Sequence, residues 1–161
     1  MGQGQILLLI AAFMLLSHLS LSVKNLILTD SEIKYEAEAT IFASSLAQAM
    51  LQEVSLTQFD QKSIGKDIPI PDSLTAPQSL GKDAGENFPN FNDLDDYRGY
   101  HRSVANPRLG RYQVDVVVAY ANANGDTVNT RTFYKKINIT VSDSTRQVLK
   151  NPVQLSTIIS Y

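Results

Sequence analysis

From Gln5 to Ile64 the chain contains neither glycine nor proline, whereas all six prolines and six of the eight glycines lie beyond it. Such a run, in a chain that uses breakers freely elsewhere, predicts one long helix. Its front, QILLLIAAFMLLSHLSLSV (Gln5 to Val23), carries no charge. As a helix it would extend roughly 28 Å, just enough to cross a bilayer core. His18 and three serines make the span a marginal one. From Lys24 the character changes. Asp30, Glu32, Lys34, Glu36 and Glu38 alternate with apolar residues. Ile33, Ala37 and Ile41 are spaced by four, as are Phe42, Leu46, Met50 and Val54, which predicts an apolar stripe on an amphipathic helix. Many small residues, among them Ala37, Ala39, Ala43 and Ala47, would let another layer approach closely.

Three readings compete for this segment. A cleaved secretory signal should begin with basic residues and end in a loop. Here the first basic residue is Lys24, and the helical pattern continues past the apolar run. A plain membrane anchor is a second reading. The third is one helix of about 50 residues, on the order of 75 Å long, with its front in lipid or in a polymer core and its rear on a globular head. The smooth passage from all-round to one-sided hydrophobicity fits the third best.

The remainder divides in two. Residues 59–107 are rich in Pro, Gly, Asp and Asn with little periodicity, and read as an irregular connecting loop. Residues 108–161 read as a β-sheet head. In RYQVDVVVAYA the period is two, with Tyr112, Val114, Val116, Val118 and Tyr120 on one face. In RTFYKKINITV the corresponding set is Phe133, Lys135, Ile137, Ile139 and Val141. Between them Asn124-Gly125 is a hairpin signal. SDSTRQ is a polar turn, and VQLSTIISY (153–161) a third strand. The expected fold is α+β: a long N-terminal helix packed on a small antiparallel sheet.

Composition removes several function classes. A net charge of −2 leaves no electrostatic footprint for nucleic acid. With no cysteine, disulfides and thiol chemistry are excluded. His18 and His101 are far apart, and no nucleophile–base pair, phosphate loop or metal-ligand spacing is in view, so an enzyme is not expected. Asn138-Ile-Thr140 matches a glycosylation sequon inside a predicted strand and is discounted. FNDLDDYRGY (91–100) is the densest cluster. Asp93, Asp95 and Asp96 offer hard oxygen ligands to calcium. The competing reading is architectural: aspartates accept backbone N–H bonds in a turn while Phe91, Tyr97 and Tyr100 pin the loop, with Gly99 at the turn. The architectural reading is preferred, with calcium as the alternative.

Three stretches resemble the type IV pilin-like family of pilins, minor pilins and pseudopilins. The N-terminus MGQGQ leads at once into the apolar helix, as a prepilin-type leader does, with candidate cuts at Gly2–Gln3 and Gly4–Gln5. FNDLDDYRGY is similar to the F-D-D-[VLI]-D-D-[YF]-x-G-[YF] stretch of minor pilins of the mannose-sensitive haemagglutinin type. YKKINITVS and VQLSTIIS resemble the closing strands of minor pilins and pseudopilins. The family's glutamate at the fifth mature position is absent, its place taken by Leu7 or Leu9. The resemblance implies processing by a prepilin peptidase, N-terminal methylation and a single pass through the cytoplasmic membrane. It also implies assembly with other pilin-like subunits into a cell-surface filament or a periplasmic secretion pseudopilus, without a cofactor. The segment Ile6, Leu7, Leu8, Leu9, Ile10, Phe13, Met14, Leu15 and Leu16 would be the membrane and assembly surface. The alternative is a membrane-anchored extracytoplasmic binding module whose head takes a ligand or calcium.

Overall fold

A computed structural model describes residues 2–145 and 148–161. The fold is α+β: a long N-terminal helix and a four-stranded antiparallel sheet. Helix α1 spans Gln3–Ser55, and the strands are β1 (His101–Asn106), β2 (Gly110–Tyr120), β3 (Tyr134–Asp143) and β4 (Val153–Ser160). The strand order β1-β2-β3-β4 is a simple meander. The chain forms two compact units, one ending at Glu38 and the other Ala39–Tyr161.

In the first unit the helix is apolar and uncovered. It contains a stretch long and apolar enough to cross a membrane, none of it buried. Two of the serines that weaken the span are satisfied within the helix. Ser17 Oγ donates to Phe13 O at 2.8 Å and Ser22 Oγ to His18 O at 2.9 Å. This i−4 back-bonding removes the cost of carrying a bare hydroxyl into an apolar medium.

In the second unit the rear of α1 lies on the sheet. Ala39, Ala43, Ala47, Met50 and Val54 are fully buried, with Phe42, Leu46 and Leu51 at the margin. The sheet presents Tyr112, Val114, Val116, Val118, Tyr120, Ile137, Ile139 and Val141, the inward sets expected from period two. Phe42 meets Tyr112 edge-on at 5.1 Å. Each fully buried Val, Ile or Met side chain contributes about 1.5–3 kcal/mol, and each alanine methyl less.

The contact stripe differs from the expected one at its front. Ile33 and Ile41 are 60% and 70% exposed, and nothing between 24 and 38 is buried. The helix turns its alanines, not its isoleucines, to the sheet, because a methyl group lets the two backbones approach closely. The alanines therefore belong to the head's own core rather than to an outer face. Ala43→Leu should overpack that core and lower head stability by about 1–3 kcal/mol, measurable by urea denaturation, whatever the protein assembles with.

The helix ends at Ser55, short of residue 59 where the connecting loop was expected to begin. Leu56 N and Thr57 N donate to Glu53 O and Val54 O, tightening the last turn, and Gln58 then leaves to pair with the segment around Asp93. The expected loop 59–107 holds four single 3-10 turns, and its last part is strand β1. β1 pairs with β2 from His101↔Asp115 to Asn106↔Gly110. Asn106 Oδ1 accepts from Arg108 N and Leu109 N to close the connection. The Asn124-Gly125 signal marks a real turn, with Gly125 at φ +86°. It closes a small loop, Ala121 bridging Thr127, rather than a tight β2–β3 hairpin; β3 begins only at Tyr134. Part of the SDSTRQ turn, Arg146 and Gln147, lies outside the described residues.

Candidate functional site

The acidic stretch 91–100 is drawn inward by its backbone. Gln58 N donates to Asn92 O at 3.1 Å and Leu94 N to Gln58 O at 2.9 Å, so the exit of α1 and the motif run side by side. Asp93 Oδ1 accepts from Asp95 N at 2.8 Å and from Asp96 N at 3.2 Å. Asp96 Oδ2 accepts from Asn92 N at 3.0 Å and from Asp93 N at 3.3 Å. These bonds hold the single 3-10 turn Asp95–Tyr97. The rings of Phe91, Tyr97 and Tyr100 pack on one another 5.0–5.8 Å apart, and Phe88 joins Phe91 at 6.0 Å. Tyr97 Oη donates to Glu53 Oε1 on α1 at 3.3 Å. Arg98 Nη1 donates to Pro77 O and Leu80 O, clamping the preceding loop. Gly99, at φ +76°, turns the chain from this motif toward β1, a conformation that favours glycine.

Asp95 points elsewhere, to Lys135 of β3. Lys135 Nζ lies 2.5 Å from Asp95 Oδ1 and 3.2 Å from Asp60 Oδ2, and donates to Phe59 O at 2.6 Å. The Lys135 and Asp60 side chains are wholly buried and Asp95 nearly so. The Phe59 and Tyr120 rings stand 4.5 and 5.3 Å from the ammonium. Asp60 also caps the turn Gln61–Ser63 and accepts from Thr75 N and Thr75 Oγ1, while Tyr120 Oη donates to Thr75 O at 2.7 Å. One lysine thus joins β3, the end of the helical region and the acidic turn.

The charges do not balance, and the proton affinities reflect it. Burial and the Asp95 and Asp96 carboxylates push Asp93 up to about 7, against the N–H bond it accepts. Burial pushes Asp95 up to about 6 in spite of Lys135, with Asp60 adding to the rise. Burial alone would raise Asp60 too, but Lys135 and the N–H groups of Thr75 and Lys62 hold it below the usual carboxylate range. Asp93 and Asp95 therefore bind protons more tightly when folded, so their contribution to stability falls as pH rises from the ordinary carboxylate range through about 6 and about 7. Asp60 acts oppositely, its contribution being lost as pH falls below its unfolded value. Thermal unfolding of the head should peak at about pH 4–5 and decline toward pH 8. Asp93→Asn keeps the Oδ1 acceptor without the charge, and should flatten the decline between pH 5 and 7.

The expected helix-front residues are placed as follows. Gly2 precedes α1, and Gln5 N donates to Gly2 O at 2.9 Å, so Gln3, Gly4 and Gln5 already belong to the first turn. Ile6, Leu7, Leu8, Leu9, Ile10, Phe13, Met14, Leu15 and Leu16 are all exposed. The sequence reading singled out neither Lys135 nor Asp60. The signal was present for Lys135, the one charge on an otherwise apolar alternating face. For Asp60 the sequence offered at most a turn cap, since the partners that place it in the cluster come from residues 15 and 75 positions away. As arranged, Asp93 Oδ1 and Asp96 Oδ2 accept backbone N–H groups and Asp95 Oδ1 accepts an ammonium, while Asp95 Oδ2 accepts no hydrogen bond. Among the described residues no three His, Asp or Glu side chains converge as metal ligands.

No protein-family model, curated protein or solved structure matches the chain. The long apolar N-terminal helix and small antiparallel sheet are compatible with a pilin-like fold.

Proposed function

We propose that the chain is a structural subunit of a type IV pilus-like filament or a type II secretion-like pseudopilus. It would be held in the cytoplasmic membrane by the front of α1 and then assembled with other pilin-like subunits through that surface. The observation that carries this reading is the front of α1: a membrane-length apolar stretch, none of it buried by its own chain, on a helix whose rear anchors a folded head. An apolar surface of that size needs lipid or neighbouring helices to cover it. Processing after Gly2 or Gly4 by a prepilin peptidase, and methylation of the new N-terminus, belong to the same reading.

The test is the mass of the N-terminal peptide of the native protein in membrane and sheared-surface fractions. A peptide beginning at Gln3 or Gln5, present in the sheared fraction, is the expected result. An unprocessed chain confined to membranes would overturn the proposal, and a start well beyond Val23 would make the helix front a secretory signal.

A tethered binding module is the second reading. It is favoured by a cleft of about 480 Å³ beside the acidic turn, lined by Lys82, Phe88, Phe91, Asp96, Arg98 and Tyr100 among others. Calcium at Asp93, Asp95 and Asp96 belongs to it. Under the structural reading, millimolar calcium leaves the thermal midpoint of the head unchanged; a rise of several degrees would favour the module.

A further inference from the structure

The Lys135 cluster brings together what an amine and a carboxylate need in order to condense. Asp95 Oδ1 lies 2.5 Å from Nζ, so the carboxyl carbon, one bond of about 1.2 Å behind it, is at most about 3.7 Å from the amine. Asp95 Oδ2 is buried and accepts no hydrogen bond. Asp60 Oδ2, 3.2 Å from the same nitrogen, is a second carboxylate placed to move a proton. The Phe59 and Tyr120 rings and the burial of all three side chains keep bulk water out.

We propose that Lys135 and Asp95 form an intramolecular isopeptide bond, with Asp60 as the proton-relaying carboxylate. Asp60 passes one proton from the Lys135 ammonium to an oxygen of Asp95, which frees the lone pair on Nζ and leaves Asp95 as the neutral acid. That pair attacks Asp95 Cγ, and the new C–N bond forms as the C–OH bond breaks. The departing hydroxyl takes a second proton from the nitrogen and leaves as water. The products are one amide N–H, one water and an Asp60 carboxylate restored. No oxidant, reductant or activating nucleotide is consumed.

Two effects favour the bond over the ion pair. Holding the groups in near-attack geometry replaces a bimolecular condensation by a unimolecular one, with effective molarities of about 10⁵ M and above. Condensation also replaces two buried charges by a neutral amide, and burying an ion pair is costly even when it is well made. Asp60 stays as the remaining charge of the three, still satisfied by Thr75 and Lys62 N–H. The raised proton affinity of Asp95 agrees with a carboxyl group poorly stabilised as an anion. In a chain without cysteine the bond would staple β3 to the acidic turn 40 residues upstream, as a disulfide does in other small domains.

Peptide mapping of the full-length chain, extracted in detergent and confirmed folded by circular dichroism, tests this. The expected result is one branched peptide carrying both Lys135 and Asp95, lighter by one water than the two linear peptides together. Separate linear peptides from folded wild-type protein would overturn the proposal. Asp60→Asn keeps the capping oxygen, and should slow formation of the branched species roughly 10²-fold, the loss expected for a missing acid–base group. Branching at the wild-type rate in a folded Asp60→Asn variant would overturn the role given to Asp60. Lys135→Arg should give no branched peptide at all.

Discussion

Lys135→Met is expected to lower the stability of the head by about 3–5 kcal/mol, a large part of what a domain this size has. Methionine nearly matches the lysine stem in volume, so the loss is not one of packing. It arises because Asp60 and Asp95 are left as buried carboxylates with no cation. Phe59 O also loses its donor. With a covalent bond between Lys135 and Asp95 the variant would lose the cross-link as well, and that part is not restored by neutral replacements of the two aspartates. Denaturant unfolding at pH 7 reads the loss directly. Adding Asp60→Asn and Asp95→Asn to Lys135→Met should recover most of the part due to unpaired charge, because neutral amides can accept the bonds from Thr75 and Lys62 without an unpaired charge. A Lys135→Met variant within about 1 kcal/mol of wild type would show that the cluster is solvated rather than sealed.

Met14→Arg should have the second large effect, and in the other unit. Residue 14 lies at the middle of the charge-free stretch Gln5 to Val23. A guanidinium at the centre of a membrane helix costs about 2.5–3.5 kcal/mol by insertion measurements. The span is already weakened by His18 and its serines, so membrane retention should fall by roughly tenfold or more. On the proposed function, filament or pseudopilus assembly should fail with it. The thermal midpoint of the head should not move, because Met14 is exposed and is not one of the core residues. Unchanged retention in carbonate-washed membranes would mean that the front of α1 does not cross the bilayer. Retention with loss of the sheared fraction would place the effect in helix–helix packing.

The two substitutions separate what was legible in the sequence from what was not. The helix was legible because its signal is local: no breakers from Gln5 to Ile64, and an apolar run with no charge. β2 and β3 were legible for the same reason, since alternation over Tyr112–Tyr120 and Phe133–Val141 is a property of neighbouring residues. β1 was not. HRSVAN has no fully buried side chain and alternates only between exposed and half-buried; it is a strand because β2 supplies its hydrogen bonds. The face of α1 was misjudged at Ile33 and Ile41, since spacing by four fits more than one stripe and only the sheet selects among them.

The acidic motif divides in the same way. Sequence pointed to FNDLDDYRGY as a place of consequence and to aspartates accepting backbone N–H bonds, because such turns close within a few residues. It could not assign Asp95 to a different task from Asp93 and Asp96. That assignment depends on Lys135, 40 residues later, and on Asp60, 35 residues earlier, meeting in a space from which water is excluded. By itself the sequence determined the long helix and the inward faces of β2 and β3, because backbone hydrogen bonding and side-chain periodicity act over a few residues. Only the tertiary structure decided which charges share the core, because burial makes a distant pair strong and an unpaired group costly, and burial is a property of the whole head.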